Sequence, residues 1–151
     1  MKSDILIRRA HFDDLKAMAR LIAQLFAIES DFTTDFEKQY QGLRLLFEDC
    51  CADLFVAKYR NNVVGMVTMQ RLISSAEGGH SGLVEDLIVD ERFRKMGVGT
   101  RLMRSLYEQA EAKDYARLQL SADRYNEPAL EFYGRLGFVE TNLHRYHRSL
   151  I

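Results

Sequence analysis

The run Val84-Glu85-Asp86-Leu87-Ile88-Val89, followed by Arg94-Lys95-Met96-Gly97-Val98-Gly99 and an amphipathic stretch, constrains the fold of this chain more than any other segment. Leu83 to Val89 is too apolar for a half-exposed strand and belongs in the centre of a sheet. Leu102, Met103, Leu106 and Ala110 then recur at helical spacing, so a helix opens at the glycines. Two glycines one residue apart let the backbone pass close to a bulky anion. The first N–H groups of the helix lack intrahelical acceptors and can point at phosphate oxygens, beside the positive charges of Arg94, Lys95 and Arg101.

Other readings of this segment fare differently. A dinucleotide fingerprint wants Gly-x-Gly-x-x-Gly, and its third glycine position is occupied here by Leu102. A nucleoside-triphosphate loop needs Gly-x-x-x-x-Gly-Lys-Ser/Thr, a string absent from the chain. A plain turn, with glycines for geometry and basic residues for solubility, has to be weighed against the rest of the sequence.

Ile5 to Arg9 predicts a short first strand. Leu15, Met18, Ala19, Ile22, Leu25 and Phe26 place one apolar stripe on a helix, with Asp13 and Asp14 at its positive end. The acidic stretch from Glu29 to Glu37 reads as a loop, and Tyr40, Leu43, Leu46 and Phe47 resume the helical pattern. Leu54 to Tyr59 and Val63 to Leu72, separated by Arg60-Asn61-Asn62, predict an antiparallel hairpin. Ser74 to Gly79 is a polar connection. Ala116 to Leu120 returns as a strand after the glycine-loop helix, completing a strand-helix-strand crossover. Asn126 suits an N-cap, Pro128 a first turn and Gly137 a left-handed helix end. Phe138 to Thr141 and Leu143 to Arg148 are expected as final strands. The order implies an α/β (α+β) domain of three layers, with about four helices and a mixed, mostly antiparallel sheet of six to seven strands.

A chain of 151 residues fits a single domain, residues 1–151. Its formal net charge of -1 argues against nucleic acid as a partner. No apolar run reaches the ~20 residues of a membrane helix and the first residues lack a signal-peptide core, so no membrane association and a cytoplasmic location are expected. Cys50 and Cys51 are adjacent, without the spacing of a metal site or disulfide framework, and read as buried free thiols. The four histidines are scattered, and no required metal is expected.

Against this background, Arg94-x-x-Gly97-x-Gly99 after an apolar strand resembles the acetyl-coenzyme A loop of the GNAT superfamily of N-acetyltransferases. Asn126-Glu127-Pro128-Ala129-Leu130-Glu131-Phe132-Tyr133, then Leu136-Gly137-Phe138, resembles that family's late helix and its Phe-Tyr-x-x-x-Gly-Phe ending. Ile7-Arg8-Arg9-Ala10 with Asp13-Asp14-Leu15 is similar to its first strand and helix, so the resemblance spans nearly the whole chain. Glu91 departs from the proline that many members carry after the strand.

The resemblance implies a fold in which two parallel strands splay and the pantetheine arm of acetyl-CoA, the co-substrate, lies in the gap. Backbone contacts would come from Leu87, Ile88 and Val89. The diphosphate would lie on Arg94, Lys95, Met96 and Gly97 and on Val98, Gly99 and Thr100 at the helix start. Asn126 would bond the pantetheine or orient the reacting groups. Tyr133 would sit beside the sulfur and hydrogen-bond the departing thiolate, a role suited to a phenol with an ordinary pKa near ~10.

The expected reaction is acetyl transfer to a primary amine of a small molecule by direct attack in a ternary complex, with a backbone N–H of Ile88 or Val89 polarising the carbonyl. An amine with a pKa near ~10.4 must lose a proton first. Glu85 is the candidate base; Glu85-Asp86 is similar to the pair in spermidine/spermine and glucosamine-phosphate acetyltransferases. Its other reading is a solvated strand-end carboxylate. Glu29, Asp31 and Asp35 lie in the loop that lines the family's acceptor cleft, which points to a cationic acceptor, or else they form a solvated acidic turn. Protein N-terminal or lysine acetylation and a non-catalytic coenzyme A-binding module are the alternatives, and a homodimer is a family-typical partner.

Overall fold

A computed structural model of the chain describes residues 4–27 and 34–151. Its backbone contacts divide at Leu120/Ser121 into two compact units. The first begins with β1 (Ile5–Arg9), a short 3-10 turn (Phe12–Asp14), α1 (Leu15–Phe26) and α2 (Phe36–Glu48). It continues with β2 (Ala52–Tyr59), β3 (Asn62–Ser74), β4 (Gly79–Val89), α3 (Val98–Ala112) and β5 (Leu118–Gln119). The second contains α4 (Glu127–Arg135).

The sheet runs in sequence order, antiparallel from β1 to β4, with β5 parallel to β4. The crossover read from the sequence is therefore present, with α3 as its helix, and β4 lies between two strands. Both faces of the sheet are covered. Leu15, Met18 and Ile22 of α1 and Leu43 of α2 pack with Leu54, Val56, Met66 and Ile88 in one core. Leu102, Met103 and Leu106 of α3 are fully buried, and truncating any of these leucines to alanine costs about 2–5 kcal/mol.

Local chemistry sets the element ends. The Asp14 carboxylate accepts from the His11 backbone N–H at 2.8 Å and from Arg8 Nη1 at 2.6 Å, which closes the turn before α1. The second helix starts at Phe36, ahead of the expected Tyr40. There the Asp35 carboxylate accepts the Lys38 N–H at 3.2 Å while Gln39 Oε1 accepts the Asp35 N–H at 2.7 Å. That reciprocal cap satisfies orphan donors and recruits Phe36 to Gln39 into the helix.

Three expectations need correction. Among the described residues the sheet has five strands, where six to seven were expected. The missing ones are the two final strands. Val139, Leu143, Tyr146 and Leu150 are each at least 85% exposed, and the Leu143 N–H donates to Thr141 Oγ1 at 3.3 Å, a local turn that competes with ladder pairing. Second, β5 is limited to Leu118–Gln119. Third, Cys50 is exposed and Cys51 half-buried, because the turn after α2 lies at the surface.

The second unit is organised around α4. Asn126 Oδ1 accepts the Ala129 N–H at 3.3 Å, Pro128 occupies the first turn, and Gly137 takes φ 89° after the last turn. The Phe138 N–H returns to the Tyr133 carbonyl at 3.0 Å. Asn126, Pro128 and Gly137 match their expected roles, whereas Phe138 closes the helix end instead of beginning a strand.

Candidate active site

The β4 strand departs from regularity where chemistry was expected. Gly65 and Met66 of β3 oppose Val89 and Ile88, whereas Thr68 opposes Glu85, so Asp86 and Leu87 face the single residue Val67. This is a β-bulge. Asp86 takes φ 53°, a left-handed conformation that aspartate tolerates better than most residues. Thr68, fully buried, holds the bulge: its hydroxyl lies 3.2 Å from both Asp86 Oδ2 and the Glu85 carbonyl.

On its other side β4 pairs with β5 only at Gly82 and Leu83. Beyond Leu83, residues 84–89 have no β5 ladder partner among the described residues, so their backbone edge toward β5 is outside the sheet's hydrogen bonding. Leu87, Ile88 and Val89 all lie on this segment. The Val89 carbonyl is engaged by Arg94 Nε at 2.9 Å, so Arg94 braces the end of β4.

The turn from β4 to α3 is built from side-chain caps. Asp90 accepts from the Arg92 backbone N–H and from Arg92 Nε, each at 3.0 Å. Those bonds to Arg92 hold the Asp90 carboxyl below the usual carboxylate range despite its burial. Lys95 and Gly97 both take positive φ, 60° and 80°, and Gly97 is the N-cap of α3. A Cβ at Gly97 would meet no atom within 4 Å, so its glycine serves conformation and leaves open space above the backbone. Val98, Gly99 and Thr100 follow as the first turn, whose N–H groups have no acceptor within the helix. Met96 lies in the same turn. Arg101 is the exception in this cluster: its Nη2 donates to the Ile5 carbonyl at 2.8 Å, tying α3 to β1.

A cleft of about 400 Å³ opens between α1, α2 and the sheet. Ile22, Phe26, Leu43 and Leu46 give it apolar walls, while Gln39, Gln70, Asp49 and Asp86 bring amides and carboxylates to it. Asp86 thus reaches the cleft through the bulge. Glu85 stands opposite Thr68 and is not among the lining residues. Asp35 is engaged as the cap of α2, and Glu29 and Asp31 lie outside the described residues. Asp49 and Asp86 were therefore missed as cleft acids. The signal for Asp86 was its place beside Glu85 before an apolar triplet; Asp49 carried none.

In the second unit, Tyr133 on α4 is half-buried, edge-on to Phe132 at 5.4 Å and Phe138 at 5.8 Å between ring centroids.

Comparison with known proteins bears on this geometry. Residues 18–138 match the model of the acetyltransferase (GNAT) family. An uncharacterized N-acetyltransferase of Methanocaldococcus jannaschii is 33% identical over 87 residues, 57% of this chain and 38% of that protein. Streptothricin acetyltransferase A of Bacillus subtilis is 29% identical over 123 residues, 77% of this chain and 68% of that one. The match thus spans well under half of the archaeal relative. An aminoglycoside acetyltransferase from an uncultured soil metagenomic sample, in complex with trehalose, superposes with a TM-score of 0.80 at 23% identity, covering 97% of each chain. At that identity the likeness is one of fold.

Proposed function

This chain belongs to the acetyltransferase (GNAT) family, and we propose that it moves the acetyl group of acetyl-CoA to a primary amine of a small cationic molecule by direct attack in a ternary complex. The single observation that carries the reading is the bulged end of β4. It brings Asp86 to the wall of the cleft and leaves the neighbouring backbone edge outside the ladder to β5.

The residues present fit the co-substrate. Open space over Gly97, the orphan N–H groups of Val98, Gly99 and Thr100, and the cation of Lys95 suit a diphosphate. The unladdered edge at Leu87 and Val89 suits an amide-bearing arm that adds like a strand. Bound there, acetyl-CoA supplies an activated acyl group and a thiolate leaving group.

Asp86, in the cleft, takes the proton from the attacking ammonium directly or through water, with Glu85 as the neighbouring carboxylate. Asp86 and Asp49 attract a cation, and Ile22, Phe26 and Leu43 bury its apolar body. A backbone N–H at Ile88 or Val89 donates to the carbonyl oxygen. Tyr133 donates to the departing sulfur, and Asn126 orients the arm. The relative named for streptothricin acetylation supports a small-molecule acceptor.

Free-thiol release from acetyl-CoA, followed over diamines, amino sugars, neutral amines and peptide N-termini, tests the proposal. Turnover with small cationic amines and a fall of ~10²-fold or more in kcat for Tyr133→Phe are expected. Calorimetric acetyl-CoA binding without turnover on any amine would favour a binding module. Turnover confined to peptides would move the acceptor to proteins, and no binding at all would remove the proposal.

A further inference from the structure

Away from the glycine loop, and sharing only Asp49 with the cleft, one cluster of metal-ligating side chains stands out among the described residues. In the turn between α2 and β2, an oxygen of Asp49 and the sulfurs of Cys50 and Cys51 all lie within 4.8 Å of one another. The two sulfurs are 3.7 Å apart. A tetrahedral cation ~2.3 Å from each of two thiolates sets them ~3.8 Å apart, so the pair already has the spread of a chelate.

Backbone geometry fixes this arrangement. Asp49 ends α2, its own N–H donating to the Leu45 and Leu46 carbonyls at 3.1 and 3.2 Å. Its Oδ1 accepts the Cys51 N–H at 2.8 Å, which folds the carboxylate over the cysteines. The Cys51 carbonyl in turn accepts the Arg71 N–H of β3 at 3.1 Å. Adjacent cysteines are too close for the usual gap between ligands in a sequence pattern, yet this turn makes them converge.

We propose that Asp49, Cys50 and Cys51 form a chelating site for a single thiophilic divalent cation of the zinc or cadmium class. Two sulfurs and one carboxylate oxygen select a soft or borderline d¹⁰ ion over magnesium or calcium. The exposure of Cys50 gives the ion a route from solvent and leaves water as its fourth ligand. On binding, the thiols release two protons to solvent and each thiolate donates an electron pair, with no change of oxidation state. Asp49 also walls the cleft, so an ion that takes its carboxylate withdraws negative charge from the acceptor side. That consequence rests on the function proposed above; the binding itself does not.

Titrating the reduced protein with cadmium(II), followed by thiolate-to-cadmium absorption in the ultraviolet, tests the site directly. Saturation at one cation per chain is expected. C50S and C51S should each weaken binding by more than the ~10-fold that even an outer-shell partner is worth, and D49N should weaken it measurably. Saturation at one cation per two chains, or unchanged binding in the double variant C50S/C51S, would overturn the site. Zinc(II) should raise the acceptor KM of wild type and leave that of C50S/C51S unmoved; equal inhibition of both would place the ion elsewhere. A chain that binds cadmium one to one but acetylates no amine would count against the acyl-transfer reading alone.

Discussion

Replacing Asp86 by Asn separates the charge of this side chain from its shape. Asparagine tolerates the left-handed φ of 53° and keeps an oxygen for the Thr68 hydroxyl, so the bulge survives. Weakening the Thr68 bond from charge-assisted to neutral contributes about 1 kcal/mol to the cost, about 2–4 °C in Tm for a chain of this size. Catalysis should suffer far more. At pH 7 an amine with a pKa near ~10.4 is neutral in roughly one molecule in 2,500, equivalent to about 4.6 kcal/mol, and without a base the enzyme must wait for that fraction. A fall in kcat/KM of about 10²–10³ at pH 7 is expected, recovered as pH rises toward the amine pKa, because the variant then meets more neutral acceptor. The assay is thiol release across pH 6.5–9.5 on wild type, Asp86→Asn and Glu85→Gln. Asp86→Asn within about threefold of wild type, with the same pH profile, would refute the argument; collapse in Glu85→Gln alone would hand the proton to its neighbour.

Further outcomes follow from the same geometry. Gly97→Ala places a Cβ on a residue at φ 80°, so it should cost about 1–2 kcal/mol of stability and weaken acetyl-CoA binding by calorimetry. Unchanged affinity would separate the loop from the diphosphate. A Cβ at Gly82 would lie 2.6 Å from Leu118 Cδ2 and 2.7 Å from the fully buried Met69 sulfur, so Gly82→Ala should lower stability by about 1–3 kcal/mol in urea unfolding, loosening the β4–β5 contact. Burial raises the Asp14 pKa, but bonds from Arg8 and the His11 N–H with the nearby charges outweigh it, and the carboxyl titrates below its ordinary range. That stability is present above the unfolded carboxylate pKa and lost as pH falls through the folded one. The Tm gap between wild type and Asp14→Asn should therefore be widest near neutrality and close below about pH 4; a gap independent of pH would show that charge is not its source.

The parts of the fold that were legible are those where one local rule decides. The apolar run Leu83 to Val89 is a strand of the sheet, though β5 flanks it only at its start and Leu87 and Val89 are half-buried, Asn126 caps α4 because its oxygen matches an orphan donor, and Gly97 is left-handed because that turn needs positive φ. What was illegible depended on partners distant in sequence. The run 138–151 has strand-forming residues, but propensity without a neighbouring edge yields no ladder. The apolar rhythm of α2 suggested that the cysteines following it were buried, yet the Asp49 cap turns the chain to the surface. Of the acids between the helices, Asp35 is the cap of α2, which the helical pattern beginning at Tyr40 did not reveal.

The bulge is the point at which fold and chemistry cannot be read separately. Strict alternation along β4 treats Glu85 and Asp86 as ordinary strand neighbours on opposite faces. One extra residue breaks that alternation, and the price is a non-glycine residue at positive φ, a strain of about 1–2 kcal/mol. Thr68 offsets part of it from inside the sheet, with its hydroxyl shared between the Glu85 carbonyl and the Asp86 carboxylate. A hydroxyl with no exposure, spent on a kink, makes sense if the kink must hold its shape when a substrate cation approaches. Thr68→Val keeps the volume and removes both bonds. If the bulge positions Asp86 for proton transfer, this variant should lose kcat at nearly constant acetyl-CoA affinity. An equal loss of both would mean that Thr68 supports the strand as a whole and that the position of Asp86 is incidental.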